Sequence, residues 1–306
     1  MKAILENSPA LLERQAIAAA PPAAAANPAE PIPHIALRPK TGWVSIDLRE
    51  LWQYRELLWI LALRDIRVRY KQTALGVIWI ILSPLITATV FTIIFSGLAK
   101  IPSDGIPYSL FAFSGILLFN LFSHCANSAV KSLVGNRHLI SKIYFPRLIY
   151  PIAPILSGLL DFGIGAVFLA AMAIFYHAHI SWLLLLTPGL VLMAILLGLS
   201  IGLWLGALNV QYRDIENLIP FLLQIWMYAS PVVYPLSLAR TQWPRGYYIL
   251  QLNPLSGIIA AFRWAAFGGE TPPLLSLVLA PAAIALTLVG GLFFFRRMER
   301  LFADLV

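Results

Sequence analysis

Few residues in this 306-residue chain have the spacing that catalysis needs. It carries no phosphate-binding loop of the form GxxxxGK[ST], so it does not hydrolyse a nucleotide by that mechanism. Gly163 and Gly165 form a GxG fragment, but Phe168 stands where the third glycine belongs and the surroundings are apolar. There is no GxSxG elbow and no acidic cluster to hold the metal of a nucleotide-sugar donor. His177 and His179 form a close pair without an HExxH context or a nearby third ligand, so no metal site is expected. The single cysteine, Cys125, excludes a disulfide framework and a CxxC-type site. What remains is cationic, polar or aromatic: a basic run of Arg64, Arg67, Arg69 and Lys71, the lone carboxylate Asp161 inside an apolar stretch, and many aromatic rings.

The elements that position these residues are read from composition. The chain is 59% hydrophobic and 12% charged, with mean hydropathy +0.79, against roughly 45–50% apolar and about 25% charged for soluble domains. A single soluble domain and a disordered chain are excluded. Six stretches reach the roughly 20 residues that a helical crossing requires: about 73–98, 108–130, 148–176, 182–208, 218–236 and 274–295. The expected fold is an all-α integral membrane protein with six transmembrane helices and an N-terminal interfacial amphipathic helix. The long link after the fifth stretch contains Pro254, Gly257, Gly268 and Gly269, and short re-entrant or interfacial helices are expected between helices 5 and 6.

A net charge of +8 and a pI of 9.7 would also suit a nucleic-acid binder. The positions of the basic residues argue otherwise. Arg55, Arg64, Arg67, Arg69, Lys71, Lys131, Arg137, Lys142, Arg147, Arg213, Arg296, Arg297 and Arg300 fall on one side of the six-span arrangement. Only Lys100, Arg240, Arg245 and Arg263 fall on the other. The positive-inside rule makes the first side cytoplasmic, with both termini there. No nucleic-acid partner is expected.

Three regions follow. Residues 1–47 form an Ala/Pro-rich segment expected to be a flexible cytoplasmic tail, since Glu6 and Glu13 interrupt any signal-peptide core. Residues 48–72 are expected to be an amphipathic helix in the membrane interface, because leucines and tryptophans lie beside a basic end and a long apolar run follows. Packing of the same helix on a soluble core is the plainer alternative. Residues 73–306 form the expected transmembrane domain.

Within the spans, Asp161 reads either as part of a functional relay or as a helix-to-helix hydrogen bond. The structural role is favoured, since no lysine or arginine lies inside a span to accompany it. Asn120, His124, Asn127 and Gln224 are helix contacts or conduit lining. Gly198, Gly202 and Gly206 share one helix face and allow close approach of another backbone, within the subunit in preference to between subunits. Most of the aromatic residues belong to interfacial belts and lipid-facing bulk. Trp79, Phe91, Phe119, Phe122, Trp204, Trp226 and Tyr228 are candidates to line a conduit, where aromatic faces stack on sugar rings. The basic loop 131–147 and the short loop 209–214 suit either anionic lipid headgroups or a cytoplasmic partner.

Three strings make a resemblance. LLWILALRDIRVRYKQTALGVIWIILSPL at 57–85, LVGNRHLISKIYFPR at 133–147 and NVQYRDI at 209–215 resemble the ABC-2 type permeases that export polysaccharides such as O-antigen, capsule and teichoic acid, over about residues 48–306. The resemblance implies a homodimer of six-helix subunits in the inner membrane, each with a separate cytoplasmic ATPase that carries the ATP and Mg, moving a lipid-linked polysaccharide outward. No cofactor and no catalytic residue is then expected in this chain. It implies that Gly135, Asn136, Arg137, Leu139, Lys142, Tyr144 and Arg147 form a coupling helix on the ATPase, with Tyr212, Arg213 and Asp214 in a second contact. It places Arg64, Arg67, Arg69 and Lys71 where the pyrophosphate of a polyprenyl carrier arrives, and guanidinium and ammonium groups match phosphate oxygens. A membrane-embedded enzyme or ligase acting on lipid-linked sugars is the alternative. Asp65, Asp104 and Asp214 are too scattered to favour it, and ionisable groups within the spans are too few for an ion-coupled flippase.

Overall fold

The computed structural model describes residues 48–71, 78–140 and 145–305, all within one unit spanning 44–306. The 1–47 tail, and the site candidates Lys142 and Tyr144, lie outside the described residues, as does the side chain of Lys71. Every regular element among the described residues is helical. In chain order these are α1 (Leu48–Gln53), α2 (Arg55–Lys71), α3 (Ile78–Phe91, continued as a π-helix to Leu98), α4 (Tyr108–Gly135), α5 (Arg137–Ile140), α6 (Ile149–Phe175), a 3₁₀ turn (Trp182–Leu186), α7 (Thr187–Gln211), α8 (Ile215–Tyr228), α9 (Leu236–Gln242), α10 (Pro244–Leu252), α11 (Pro254–Phe267) and α12 (Leu274–Leu305).

α4 is the central post. It packs against α3, α6, α7, α8 and α11, and its apolar positions from Leu110 to Leu133 are buried. Close packing on α7 depends on the glycine stripe. A Cβ on Gly202 would stand 2.3 Å from the Ala129 Cβ, and one on Gly198 would stand 2.7 Å from the Phe122 carbonyl oxygen. Both neighbours are on α4, so the stripe serves packing within the subunit, as small residues do between membrane helices.

Five described helices are long and apolar enough to cross a membrane: Ile78–Leu98, Tyr108–Gly135, Ile149–Phe175, Trp182–Gln211 and Leu274–Glu299. The fifth of the six expected crossings, 218–236, is built differently. Its helix, α8, has 14 residues and spans about 21 Å, short of a hydrocarbon core of about 30 Å. The chain nevertheless follows most of α4. Glu216 at the start of α8 is 3.7 Å from Lys131, and Trp226 meets Phe122 edge-on. Beyond the helix, the Val233 carbonyl accepts a 2.5 Å hydrogen bond from Tyr108 at the other end of α4.

Residues 229–235 continue along α4 as irregular chain, and the carbonyls freed there need donors wherever water is excluded. Side chains on and before α11 provide them. The Arg263 guanidinium donates to the Pro231 carbonyl (2.6 Å), the Val232 carbonyl (2.5 Å) and the Phe111 carbonyl (2.9 Å). Its plane lies 3.5 Å above the Phe111 ring. Asn253 Nδ2 donates to the Ala229 carbonyl at 3.0 Å, while its Oδ1 caps α11 by accepting from the Leu255 N–H at 3.1 Å. The short helices expected between helices 5 and 6 are α9, α10 and α11, and α11 holds this irregular segment against α4.

Candidate functional site

Lys131, Asn127, His124 and Asn120 recur every three or four residues, with Ser123 beside His124, so they share one face of α4. Asn120 is exposed although Phe119 and Leu121 beside it are buried. The buried Asn127 Oδ1 has no hydrogen-bond partner among the described residues. α8 carries a comparable face in Asn217, Phe221, Gln224 and Tyr228, all exposed. Since Trp226 packs on Phe122 and α8 runs antiparallel to α4, the exposed amides Gln224 and Asn120 lie on either side of that contact, about 6 Å apart along the axis. The four polar span residues thus differ in setting. His124 makes contacts between helices, Asn127 is half-buried, and Asn120 and Gln224 face outward.

The basic segment enters this track at two points. At the end of α4, Arg64 Nη1 donates to Asn136 Oδ1 at 2.8 Å, and Arg64 Nη2 pairs with Asp65 at 2.8 Å. Asn136 in turn donates to the Ser132 carbonyl at 2.7 Å. One side chain from the expected entry set and one from the expected coupling set are therefore joined directly.

Further along α2, Arg69 Nη1 pairs with Asp161 Oδ2 at 2.6 Å, and its Nη2 lies 3.2 Å from His124 Nδ1. His124 Nε2 is 3.0 Å from Ser157 Oγ and 3.2 Å from the Pro154 carbonyl. Gly158 makes room for the imidazole, because a Cβ there would stand 2.6 Å from the ring. Asp161 lies about 18 Å along α6 from Ile149 at 1.5 Å per residue. The expectation that no cation accompanies Asp161 is therefore corrected. Its partner comes from α2, a helix outside the six apolar stretches that a scan of the spans leaves out.

The same contact fixes where α2, the expected interfacial helix, packs on the subunit. Leu61 is buried in a cluster with Ile149, Tyr150 and Ala153 of α6, and Arg69, eight residues on, meets Asp161, eight residues beyond Ala153. α2 thus runs alongside α6 over its second half. Trp59, Ile60 and Val68 remain exposed on its outer surface, as does Trp52 of α1, which suits an apolar surrounding. Arg67 is exposed.

The two loops expected to meet a partner gather at the same end of α4. Gly135 and Arg137 are exposed, while Leu139 packs against the cluster around Tyr150. Arg147 is turned inward, donating to the Glu299 carbonyl of α12, so it braces the last helix. Tyr212, Arg213 and Asp214 form an exposed turn between α7 and α8. This turn is held near α4 by Asn209, whose Nδ2 donates to the Val130 carbonyl at 3.2 Å.

The aromatic candidates divide. Phe119 and Phe122 are core residues, and their burial within the subunit corrects the expectation that they line a conduit. Trp204 stacks on Phe294 at 4.8 Å and donates to the Thr287 carbonyl at 2.9 Å, which fixes it as a clamp between α7 and α12. Phe91 is half-buried against Phe95. Trp226 is half-buried, with its Nε1 donating to Asn253 Oδ1 at 3.0 Å, while Trp79 and Tyr228 are exposed. An open apolar recess of about 600 Å³ lies between α7, α8 and α10, lined by Leu205, Leu222, Trp226, Tyr234 and Trp243 among others.

Arg263 and Asn253 are the residues that sequence reasoning missed. The signal was an arginine and an asparagine inside a semi-apolar Pro/Gly-broken segment, a setting in which buried polar groups must have partners.

A helical membrane protein with a row of polar side chains along its central helix and two polar loops gathered at one end has a permease-like architecture, and the comparisons agree. The chain belongs to the ABC-2 type transporter family, whose pattern matches residues 56–267. It is 28% identical over 255 residues to the O-antigen export system permease protein RfbA of Myxococcus xanthus, covering 82% of this chain and 96% of that protein. It is 25% identical to a Klebsiella pneumoniae protein of the same name over 253 residues, 82% and 95% of the two chains. The Polysialic acid transport protein KpsM of Escherichia coli is 26% identical over 252 residues, 78% of this chain and 92% of that one.

Proposed function

We propose that this chain is the membrane-spanning subunit of an ATP-driven exporter that moves a polyprenyl-pyrophosphate-linked, O-antigen-like polysaccharide out of the cytoplasm across the inner membrane. It works as a homodimer with both termini cytoplasmic. ATP and Mg are bound by a separate cytoplasmic subunit, and this chain has no catalytic role. The observation that carries the reading is the face of α4 from Asn136 to Asn120, with the exposed amides Asn120 and Gln224 at membrane depth. Uncharged amides and hydroxyls there suit a hydroxyl-rich polymer, since they exchange hydrogen bonds with it without trapping it by charge. The names of the relatives support the same substrate class.

Role follows position along the track. Arg64 and Arg67 stand at its cytoplasmic end with Lys71 close in sequence, and they receive the carrier's pyrophosphate together with Arg69. Gly135, Asn136, Arg137 and Leu139, with Lys142 and Tyr144 beyond them, and the Tyr212–Asp214 turn seat the ATPase. The Arg64–Asn136 hydrogen bond ties that seat to α2. Membrane lipids surround the exposed apolar faces.

The test is to co-express the chain with a candidate ABC ATPase subunit from its own source cell, purify the complex and measure ATP hydrolysis, and to delete the chain from that cell. Co-purification with hydrolysis, and accumulation of intracellular polymer on deletion, are expected. Failure to co-purify together with normal surface polysaccharide after deletion would overturn the reading.

A further inference from the structure

A cavity of about 370 Å³ opens at the end of α4 that carries Tyr108, opposite the partner-facing loops. Its lining combines three kinds of group. Asp104 and Glu270 are carboxylates, Arg240 is a guanidinium, and Tyr247 and Trp264 are aromatic, with Thr271 adding a hydroxyl. Arg263 forms part of the wall, with four of its five N–H groups donating to the carbonyls of Phe111, Pro231 and Val232 and to Ser114. It shapes the cavity and keeps at most one N–H for a ligand.

The rim is built from restrained backbone. Gly268 (φ +77°) and Gly269 (φ +91°) end α11 in conformations that side chains disfavour, with the Gly268 N–H donating to the Trp264 carbonyl at 3.0 Å. They carry Glu270 back to Arg240, 3.0 Å away. On the other wall, Asp104 Oδ1 accepts from Ser237 Oγ at 2.6 Å. Each carboxylate engages a neighbour through one oxygen, and the second oxygen has no hydrogen bond among the described residues.

We propose that this cavity is a saccharide subsite on the far side of the subunit, taking one or two sugar rings of the polymer as it leaves. The proposal rests on the polysaccharide reading above and goes beyond it to a second binding place. Carboxylate oxygens accept from sugar hydroxyls, the guanidinium donates to them, and Trp264 and Tyr247 supply apolar surface for the C–H faces of the ring. The volume is at the lower end of the roughly 300–1,000 Å³ typical of small-ligand sites. A phosphate is disfavoured by the two carboxylates, and an acyl chain by the charged lining.

The experiment uses the intact permease with its ATPase in nanodiscs. The probe is a set of oligosaccharides of one to three repeats, cut from the source cell's own polysaccharide and free of pyrophosphate, with binding followed by tryptophan fluorescence and calorimetry. Saturable binding is expected. Trp264→Ala and the rim variant Glu270→Gln should each weaken it about tenfold, with unchanged melting temperature for Glu270→Gln. Wild-type protein that exports normally but binds no oligosaccharide would overturn the subsite and leave the permease reading standing. Binding that survives both variants would overturn it as well, as would competition by inorganic pyrophosphate. Normal surface polysaccharide without this chain would instead remove the reading on which the subsite rests.

Discussion

Arg263→Met should be among the most destabilising single changes in this chain that removes no apolar volume from the core. The guanidinium is 6% exposed and donates to three carbonyls and to Ser114. The Phe111 carbonyl lies within α4 and retains the helical bond of that position. Those of Pro231 and Val232 sit in the irregular segment and lose this donor. A buried polar group without a partner costs about 1–3 kcal/mol, so two carbonyls give about 2–6 kcal/mol. For a protein of this size that lowers the melting temperature by about 3–9 °C. A second route reaches the same interaction. A Cβ on Gly115 would stand 2.2 Å from Arg263 Nη2 and 2.7 Å from the Val232 carbonyl oxygen, so Gly115→Ala must displace the guanidinium or the broken segment. The two changes act on one interaction, and the double variant should fall well short of the sum of the singles. Thermal unfolding of the purified permease, followed by tryptophan fluorescence and by loss of the monodisperse chromatographic peak, measures all three. Melting of Arg263→Met within about 2 °C of wild type, or full additivity with Gly115→Ala, would refute the assignment of Arg263 as the donor that holds the irregular segment against α4.

Other outcomes follow from the same contacts. Asp161→Ala leaves Arg69 without its carboxylate at membrane depth and should lower thermal stability, while the exchanged pair Arg69→Asp with Asp161→Arg should recover part of the loss; no recovery would deny that the pair acts as a unit. Gly202→Leu places a side chain where even a Cβ meets Ala129 at 2.3 Å, and should prevent folding of the α4–α7 pair, seen as loss of membrane-inserted protein; normal levels would contradict the close approach. Arg137→Glu should leave insertion intact and reduce export, measured as surface polysaccharide, and full export would reject the docking role of that loop. Removing residues 1–40 should change export little, and loss of export at normal protein levels would show that the tail carries a function.

Much of the architecture was legible before any coordinates. Span-length apolar stretches at 73–98, 108–130, 148–176, 182–208 and 274–295 became α3 with its π-helical end, α4, α6, the 3₁₀ turn with α7, and α12. Such helices are dictated locally, since in lipid a run of apolar residues has to satisfy its own backbone. The glycine stripe was legible for a similar reason, because spacing alone fixes a shared helix face. The stretch at 218–236 was legible only in part, since its hydropathy reads as one continuous helix while α8 ends at Tyr228, before Pro231 and Pro235. Hydropathy reports the burial of side chains and says nothing of which distant donor satisfies a freed carbonyl.

The site divides along the same line. Sequence alone determined that this is a helical membrane protein, supplied the basic asymmetry from which an orientation is argued, and identified the residues that resemble a transporter family. Only the tertiary structure decided that Arg69 reaches Asp161 and His124, that Arg64 meets Asn136, that Phe119, Phe122 and Trp204 serve packing, and that Arg263 holds the irregular segment after α8. Each of these pairings joins residues far apart in the chain. Local periodicity places a side chain on a face of its own helix, but which helix that face meets, and at what depth, is set by how all the helices pack together.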